Sequence, residues 1–243
     1  VQVYLLYSYA CWYLHRNEDA LNGCLRAISM DPKIADGYIR LGMIYMTQEQ
    51  YTNAFIALSA GIACCEDNKG LLAWRKLAEA LMKNIKKVKL EFDGIPFTSG
   101  ITAYNGTAME TCCKYLHGSL AEPEELQFLG RAVGKCNTIV ECGVCIGNHL
   151  VYFMKKLLPS KIIAFDPDAK SIIEAGKNVE LNRNDNSTVV ELHQKIAGNK
   201  NGTAQFEKQT LESITLSSAV NEPVDFIKID VDGMELEVIE GAY

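Results

Sequence analysis

Glu141-Cys142-Gly143-Val144-Cys145-Ile146-Gly147-Asn148-His149 is the stretch that decides the fold. The run Thr138–Cys142 that leads into it is short and apolar, and residues 148–158 that follow have helical periodicity, so Gly143 and Gly147 fall on a strand-to-helix turn. At such a turn the backbone bends sharply and passes close to a ligand, and a Cβ at either glycine would be in the way. The helix points its N-terminus at the same place, which suits a carboxylate, while Glu141 offers a partner for an ammonium.

Working outward, Lys161–Phe165, 188–192 and 224–231 read as further strands and 169–181 as a helix. Strands alternating with helices predict a parallel sheet with right-handed crossovers, and such sheets bind ligands at the carboxyl ends of their strands. The second strand ends at Asp166, nineteen residues beyond Gly147, where a carboxylate can accept hydrogen bonds from both hydroxyls of a ribose. The spacing also excludes two nucleotide classes. A dinucleotide fingerprint needs glycine where this chain has Cys145 and Asn148, and no Gly-Lys-Ser/Thr follows to make a phosphate-binding loop.

The segment Asp225-Phe226-Ile227-Lys228-Ile229-Asp230-Val231-Asp232-Gly233-Met234-Glu235 is an apolar strand ending in carboxylates over the same cleft. Asp232 and Glu235 have the spacing of a capping box, which would account for both without chemistry. It does not account for Asp230, or for a lysine at 228 inside a strand.

These motifs together make residues 138–242 resemble the FkbM-type methyltransferase family. Its pattern runs Asp-x-Gly-Ala-Asn-x-Gly, Glu-Pro, Leu-Asp, Ile-Lys-Ile-Asp-Val-Glu-Gly-x-Glu and Gly-Ala. The counterparts here are the 141–149 stretch, Asp166-Pro167, Leu211-Glu212, Ile227 to Glu235, and Gly241-Ala242. The resemblance implies an α/β class I (Rossmann-like) methyltransferase domain, S-adenosylmethionine as cofactor, and transfer to oxygen on a hydroxyl of a sugar, glycan or polyketide-like small-molecule acceptor. Carried over position by position, cofactor binding falls to Glu141, Gly143, Cys145, Gly147, Asn148 and Asp166. The chain departs from the pattern in having Glu141 for Asp, Cys145 for Asn and Asp232 for Glu. An alcohol acceptor needs a proton acceptor, for which Asp230 or Asp232 comes first and His149 second as catalytic residues. Nothing in the pattern requires a metal.

Ahead of this half lies a repeat. Tyr4 is matched by Tyr38, Ala20 by Ala54, Cys24 by Leu58 and Ala27 by Gly61, all 34 residues apart, which is the tetratricopeptide period. Two helical hairpins are expected, 1–15 with 18–30 and Ala35–Thr47 with 51–63, and an apolar helix Lys69–Met82 to cover the last. The organisation read from the sequence is therefore an all-α tetratricopeptide domain over 1–83, a connecting or lid segment over 84–137, and a methyltransferase domain over 138–243. In the connecting segment Asp93-Gly94 signals a hairpin, and helices are expected at 109–116 and at 124–133, the latter opening with Pro123 and two glutamates. The chain starts at Val1 and stops just after the beginning of a helix, so the methyltransferase domain is expected to be truncated at its C-terminal end.

The chain has 243 residues, 48% hydrophobic content and a formal net charge of −6, enough for a substantial core and against a nucleic-acid footprint or a polybasic membrane anchor. No stretch approaches the roughly 20 apolar residues that cross a bilayer. Nine scattered cysteines show no disulfide framework, and Cys142-x-x-Cys145 lacks the second pair that structural zinc needs, so a cytoplasmic location is expected. Asn-x-Ser/Thr matches at Asn105, Asn186 and Asn201 are at chance level. The rival reading is a protein-interaction scaffold that binds a partner through its repeats and carries a non-catalytic methyltransferase-like domain.

Overall fold

The computed structural model describes residues 1–66, 68–183 and 188–243. The Asn-x-Ser/Thr match at Asn186 lies outside them. The chain divides into two compact units, 1–88 with 101–119, and 89–100 with 120–243.

In the first unit α1 (Gln2–Tyr13) packs on α2 (Asn17–Met30), α3 (Ala35–Thr47) on α4 (Tyr51–Cys64), and α5 (Lys69–Met82) covers α4. The helices approach closely because their contact positions are small. Ala20, Cys24, Ala27 and Ala54 are completely buried. A Cβ on Gly42 would stand 2.7 Å from Leu58, and one on Gly61 2.7 Å from Tyr38, so a larger residue at either position would push two helices apart. α6 (Gly106–Leu116) packs against α5 and starts earlier than its apolar pattern suggested. The reason is local: the Asn105 side chain caps the helix by accepting from the Ala108 amide at 2.8 Å.

The second unit opens with most of β1 (Lys87–Phe92) and with β2 (Ile95–Gly100), joined by the Asp93-Gly94 turn, where φ is +54° and +71°. There follow α7 (Pro123–Ala132), β3 (Thr138–Cys142), α8 (Asn148–Lys156), β4 (Lys161–Phe165), α9 (Ala169–Asn182), β5 (Val189–His193), β6 (Ile196–Ala197), β7 (Gly202–Phe206), β8 (Gln209–Ile214), α10 (Leu216–Ala219), β9 (Phe226–Ile229) and α11 (Glu235–Glu240). β5, β4, β3 and β9 form a parallel sheet in that order. Every residue of central β3 is buried, as expected for a strand covered on both faces. Val140 and Cys142 pack with Ile163, Phe165, Leu216 and Val238 on one face. Ile139 and Glu141 alternate to the other face, where Phe153 of α8 meets Phe226 of β9 edge to face at 5.5 Å. Register sets Glu141 between Ala164 of β4 and Lys228 of β9.

Two buried amides on α9, one turn apart, tie the β2 edge to this layer. Asn182 exchanges two hydrogen bonds with the Thr98 backbone at 2.6 and 2.9 Å, while Asn178 accepts from the Gly100 amide and donates to the Ile146 carbonyl, both at 2.7 Å. A second sheet of order β6-β8-β7 has no counterpart in the sequence reading. Its β7–β8 turn carries Glu207 at φ +52° with no glycine, and its strand β6 is only two residues long, so neither a turn signal nor a readable run of alternation marks it.

The capping box expected from Asp232 and Glu235 is half formed. α11 begins two residues later than that spacing implies, and Asp232 sits in the left-handed region at φ +52° rather than at the N-cap, which is Met234. Glu235 does reach back, accepting from the Gly233 and Val231 amides at 3.1 and 3.3 Å. No helix among the described residues is long and apolar enough to cross a membrane.

Candidate functional site

The glycine turn is wedged between the ends of three strands. Gly143 has φ +85°, and a Cβ there would lie 1.7 Å from the carbonyl oxygen of Asp230 at the end of β9. Its amide donates to the Phe165 carbonyl at the end of β4. Gly147 has φ +79°, and its Cβ would press on the backbone of Ala175 at 3.1 Å. Both glycines are needed for conformation and for space. Between them Cys145 also adopts a positive φ, +50°, which for a side-chain-bearing residue costs roughly 1–2 kcal/mol.

The turn is held by Asp166. Its Oδ2 accepts from the amides of Val144 and Cys145 at 2.9 and 3.0 Å, and its Oδ1 from the amide of Asp168 at 2.8 Å. Burial pushes the Asp166 carboxyl up from its ordinary range, against the three amides, which favour the anion. Asp166 lies at the strand terminus where the sequence put it. Three of the roughly four acceptor sites of a carboxylate are already filled by backbone, so one remains for a hydroxyl. Its contact with a neighbouring turn is invisible in a linear reading.

Glu141 is 1% exposed, and neither carboxylate oxygen has a hydrogen-bond partner among the described residues. Burial raises its pKa to about 8, eased by the Lys228 ammonium and reinforced by Asp166 and Asp230. Lys228 is also buried. Burial works against its charge, but Glu141, Asp230 and Glu122 outweigh it and raise its pKa. Its Nζ bonds Asp230 Oδ2 at 2.9 Å, while the Asp230 side chain is 58% exposed at the strand end. Glu141, Lys228 and Asp230 are therefore one cross-strand cluster, which explains a lysine inside a strand.

His149, in the first turn of α8, is 5% exposed. Its Nε2 lies 3.3 Å from Glu122 Oε2 and 3.4 Å from Glu125 Oε1, and it makes no hydrogen bond. Burial pushes the imidazole down to about 3, with Lys228 acting the same way and Asp230 opposing. The two neighbouring carboxylates favour the charged form, but their side chains are 55% and 49% exposed and water screens them, so the neutral imidazole prevails. Asn148 is buried and turned toward the Ala121 backbone, accepting from its amide at 3.0 Å and donating to its carbonyl at 3.1 Å. The structure thus gathers Glu141, Gly143, Cys145, Gly147, Asp166 and Asp230 around one turn, sets His149 beside Glu122 and Glu125, directs Asn148 to the chain before α7, and leaves Asp232 exposed on the loop after β9. The sequence reading missed Glu122 and Asn178 and took Glu125 as a helix-start residue only. The Glu-x-x-Glu spacing was the one available signal.

Residues 141–243 match the methyltransferase FkbM domain. The FkbM match begins at Glu141 and includes the turn, Asp166 and the whole β9 to α11 segment. No curated protein matches the chain. Among solved structures, the crystal structure of M. jannaschii TYW2 in complex with AdoMet is similar at 15% identity and a TM-score of 0.32. That similarity covers 45% of this chain and 44% of the other, so the chain spans less than half the length of the relative.

Proposed function

We propose that the protein is an S-adenosylmethionine-dependent methyltransferase acting on oxygen, with a hydroxyl of a sugar, glycan or polyketide-like molecule as acceptor. The observation that carries this reading is the partnerless, buried Glu141 carboxylate beside a turn that only glycine can make, in a domain that matches the FkbM family. A buried carboxylate without a donor is a standing cost, and a bound ammonium would remove it. The residues present fit the cofactor. Glu141, which holds its proton in the free chain, would ionise beside the ammonium, and the free acceptor site of Asp166 suits one ribose hydroxyl. Asn148 serves by fixing the start of α8.

When bound, the cofactor supplies an electrophilic methyl group on a sulfonium, so that an acceptor oxygen forms the new C–O bond as the C–S bond breaks and sulfur keeps the electron pair. The chain must align the hydroxyl and take its proton. Asp230 is the first choice of base: its side chain is 58% exposed at the strand end, and its Oδ2 lies 2.9 Å from Lys228 Nζ. Asp232 is placed to serve the same end of β9. His149 comes second, because burial weakens its affinity for a proton.

The N-terminal helices are assigned to two tetratricopeptide units with a covering helix, on the 34-residue matches and the small-residue contacts, and they would take a protein partner. Residues 84–137 are assigned to a connecting and lid segment, and the chain to the cytoplasm. Calorimetry of the whole chain with S-adenosylmethionine tests the central reading. One site is expected, weakened at least tenfold by Asp166→Ala; no binding to the parent chain would leave the scaffold reading in its place. Labelled cofactor in a cell extract then identifies the acceptor.

A further inference from the structure

Glu122, Glu125 and His149 converge although they come from two separate stretches of chain. Each presents one ligating atom, and the three atoms lie within 4.8 Å of one another. Two observations set this apart from an ordinary acidic helix start. The His149 side chain is 7% exposed, and its Nε2 points between two carboxylates without a hydrogen bond to either. The two distances from the imidazole are also those of a coordination shell. Nitrogen and oxygen ligands about 2.1 Å from one ion and about 90–110° apart stand roughly 3.0–3.4 Å from each other. The Nε2 to carboxylate distances are 3.3 and 3.4 Å.

We propose that Glu122, Glu125 and His149 bind a divalent first-row transition ion that bridges the start of α7 to the first turn of α8. One imidazole and two carboxylates suit Mn2+, Fe2+, Co2+ or Zn2+ better than Mg2+ or Ca2+, whose preferred ligands are all oxygen. The half-exposed carboxylates leave the remaining coordination positions open to water. Lys228, the cation whose field reaches both Glu122 and His149, is paired with Asp230 and does not occupy the gap. The site was not foreseen from sequence, which called for no metal. It does not depend on the methyl-transfer reading.

The test is titration of the whole chain with Mn2+ alone, followed by loss of the free-ion electron paramagnetic resonance signal, with circular dichroism as a check on folding. Saturable binding of one Mn2+ per chain is expected, weakened about 10- to 100-fold by Glu122→Gln and by Glu125→Gln. Glu124→Gln, on the same exposed helix turn but outside the cluster, should leave the affinity unchanged. Nitrogen coupling in the pulsed spectrum should report the imidazole and vanish in His149→Gln. Because the two glutamate positions are about half exposed, their variants fold regardless of the metal. Absence of saturable Mn2+ and Zn2+ binding, or equal affinity in parent, Glu122→Gln and Glu125→Gln, overturns the proposal.

Discussion

The alpha carbon of Gly143 and the carbonyl oxygen of Asp230 are so close that a Cβ on the glycine would stand 1.7 Å from that oxygen. The contact joins the turn after β3 to the end of β9, two segments nearly ninety residues apart in sequence. Gly143→Ala must therefore move backbone, and it must also hold an alanine at φ +85°. A loss of about 2–4 kcal/mol is expected, from overpacking and backbone strain together. Urea unfolding of parent and variant measures it, and a midpoint within error of the parent would show that the turn does not hold this geometry.

Glu141 should make stability fall as pH rises. Its folded pKa, about 8, lies above the ordinary 4.5, so between those values the folded state holds a proton that the unfolded chain has released. That stabilisation is complete below the unfolded pKa and is lost as pH climbs through the folded one, by on the order of 3–5 kcal/mol in total. His149, lowered to about 3, acts with the opposite sign but only below its ordinary 6.5, so the window from 6.5 to 8 isolates Glu141. In that window the stability of Glu141→Gln relative to parent should rise with pH. A difference that stays flat from pH 6.5 to 8 contradicts the assignment.

Asn182 carries a two-sided hydrogen bond between α9 and β2. Asn182→Ala leaves the Thr98 amide and carbonyl without their partners and opens a small void, for an expected loss of about 2–3 kcal/mol. Hydrogen exchange should show the Thr98 and Gly100 amides losing protection first, while β3 and β4 amides change only with global stability.

Asp230→Asn removes the anion at the end of β9 and retains its shape. If Asp230 accepts the acceptor proton, single-turnover methyl transfer should slow by about 10²- to 10⁴-fold while cofactor affinity changes little. A full rate in this variant, with His149→Gln then slow, would move the base to α8.

The strand-turn-helix unit, the parallel sheet and the helical hairpins were legible in the sequence because each is a local pattern. Residues 138–142 form a short apolar run, glycines sit where φ is positive, and the 34-residue matches place small residues at helix contacts. The β6-β8-β7 sheet was not legible, since a two-residue strand and a glycine-free turn carry no local signal. Within the site, Gly143, Gly147 and the position of Asp166 followed from spacing alone. What Asp166, Asn148 and His149 touch did not.

The sequence by itself determined the helical hairpins, the Asp93-Gly94 turn and the alternating strands and helices from residue 138 onward, because periodicity and turn chemistry are properties of neighbouring residues. Only the tertiary structure decided that Asp166 holds the turn from the adjacent strand, that Asn148 faces Ala121, that Lys228 lies beside Glu141 and Asp230, and that Glu122 and Glu125 close on His149. Those relationships depend on sheet register and on which helix faces pack together. Both are set by burial across segments far apart in the chain, and no local pattern encodes them.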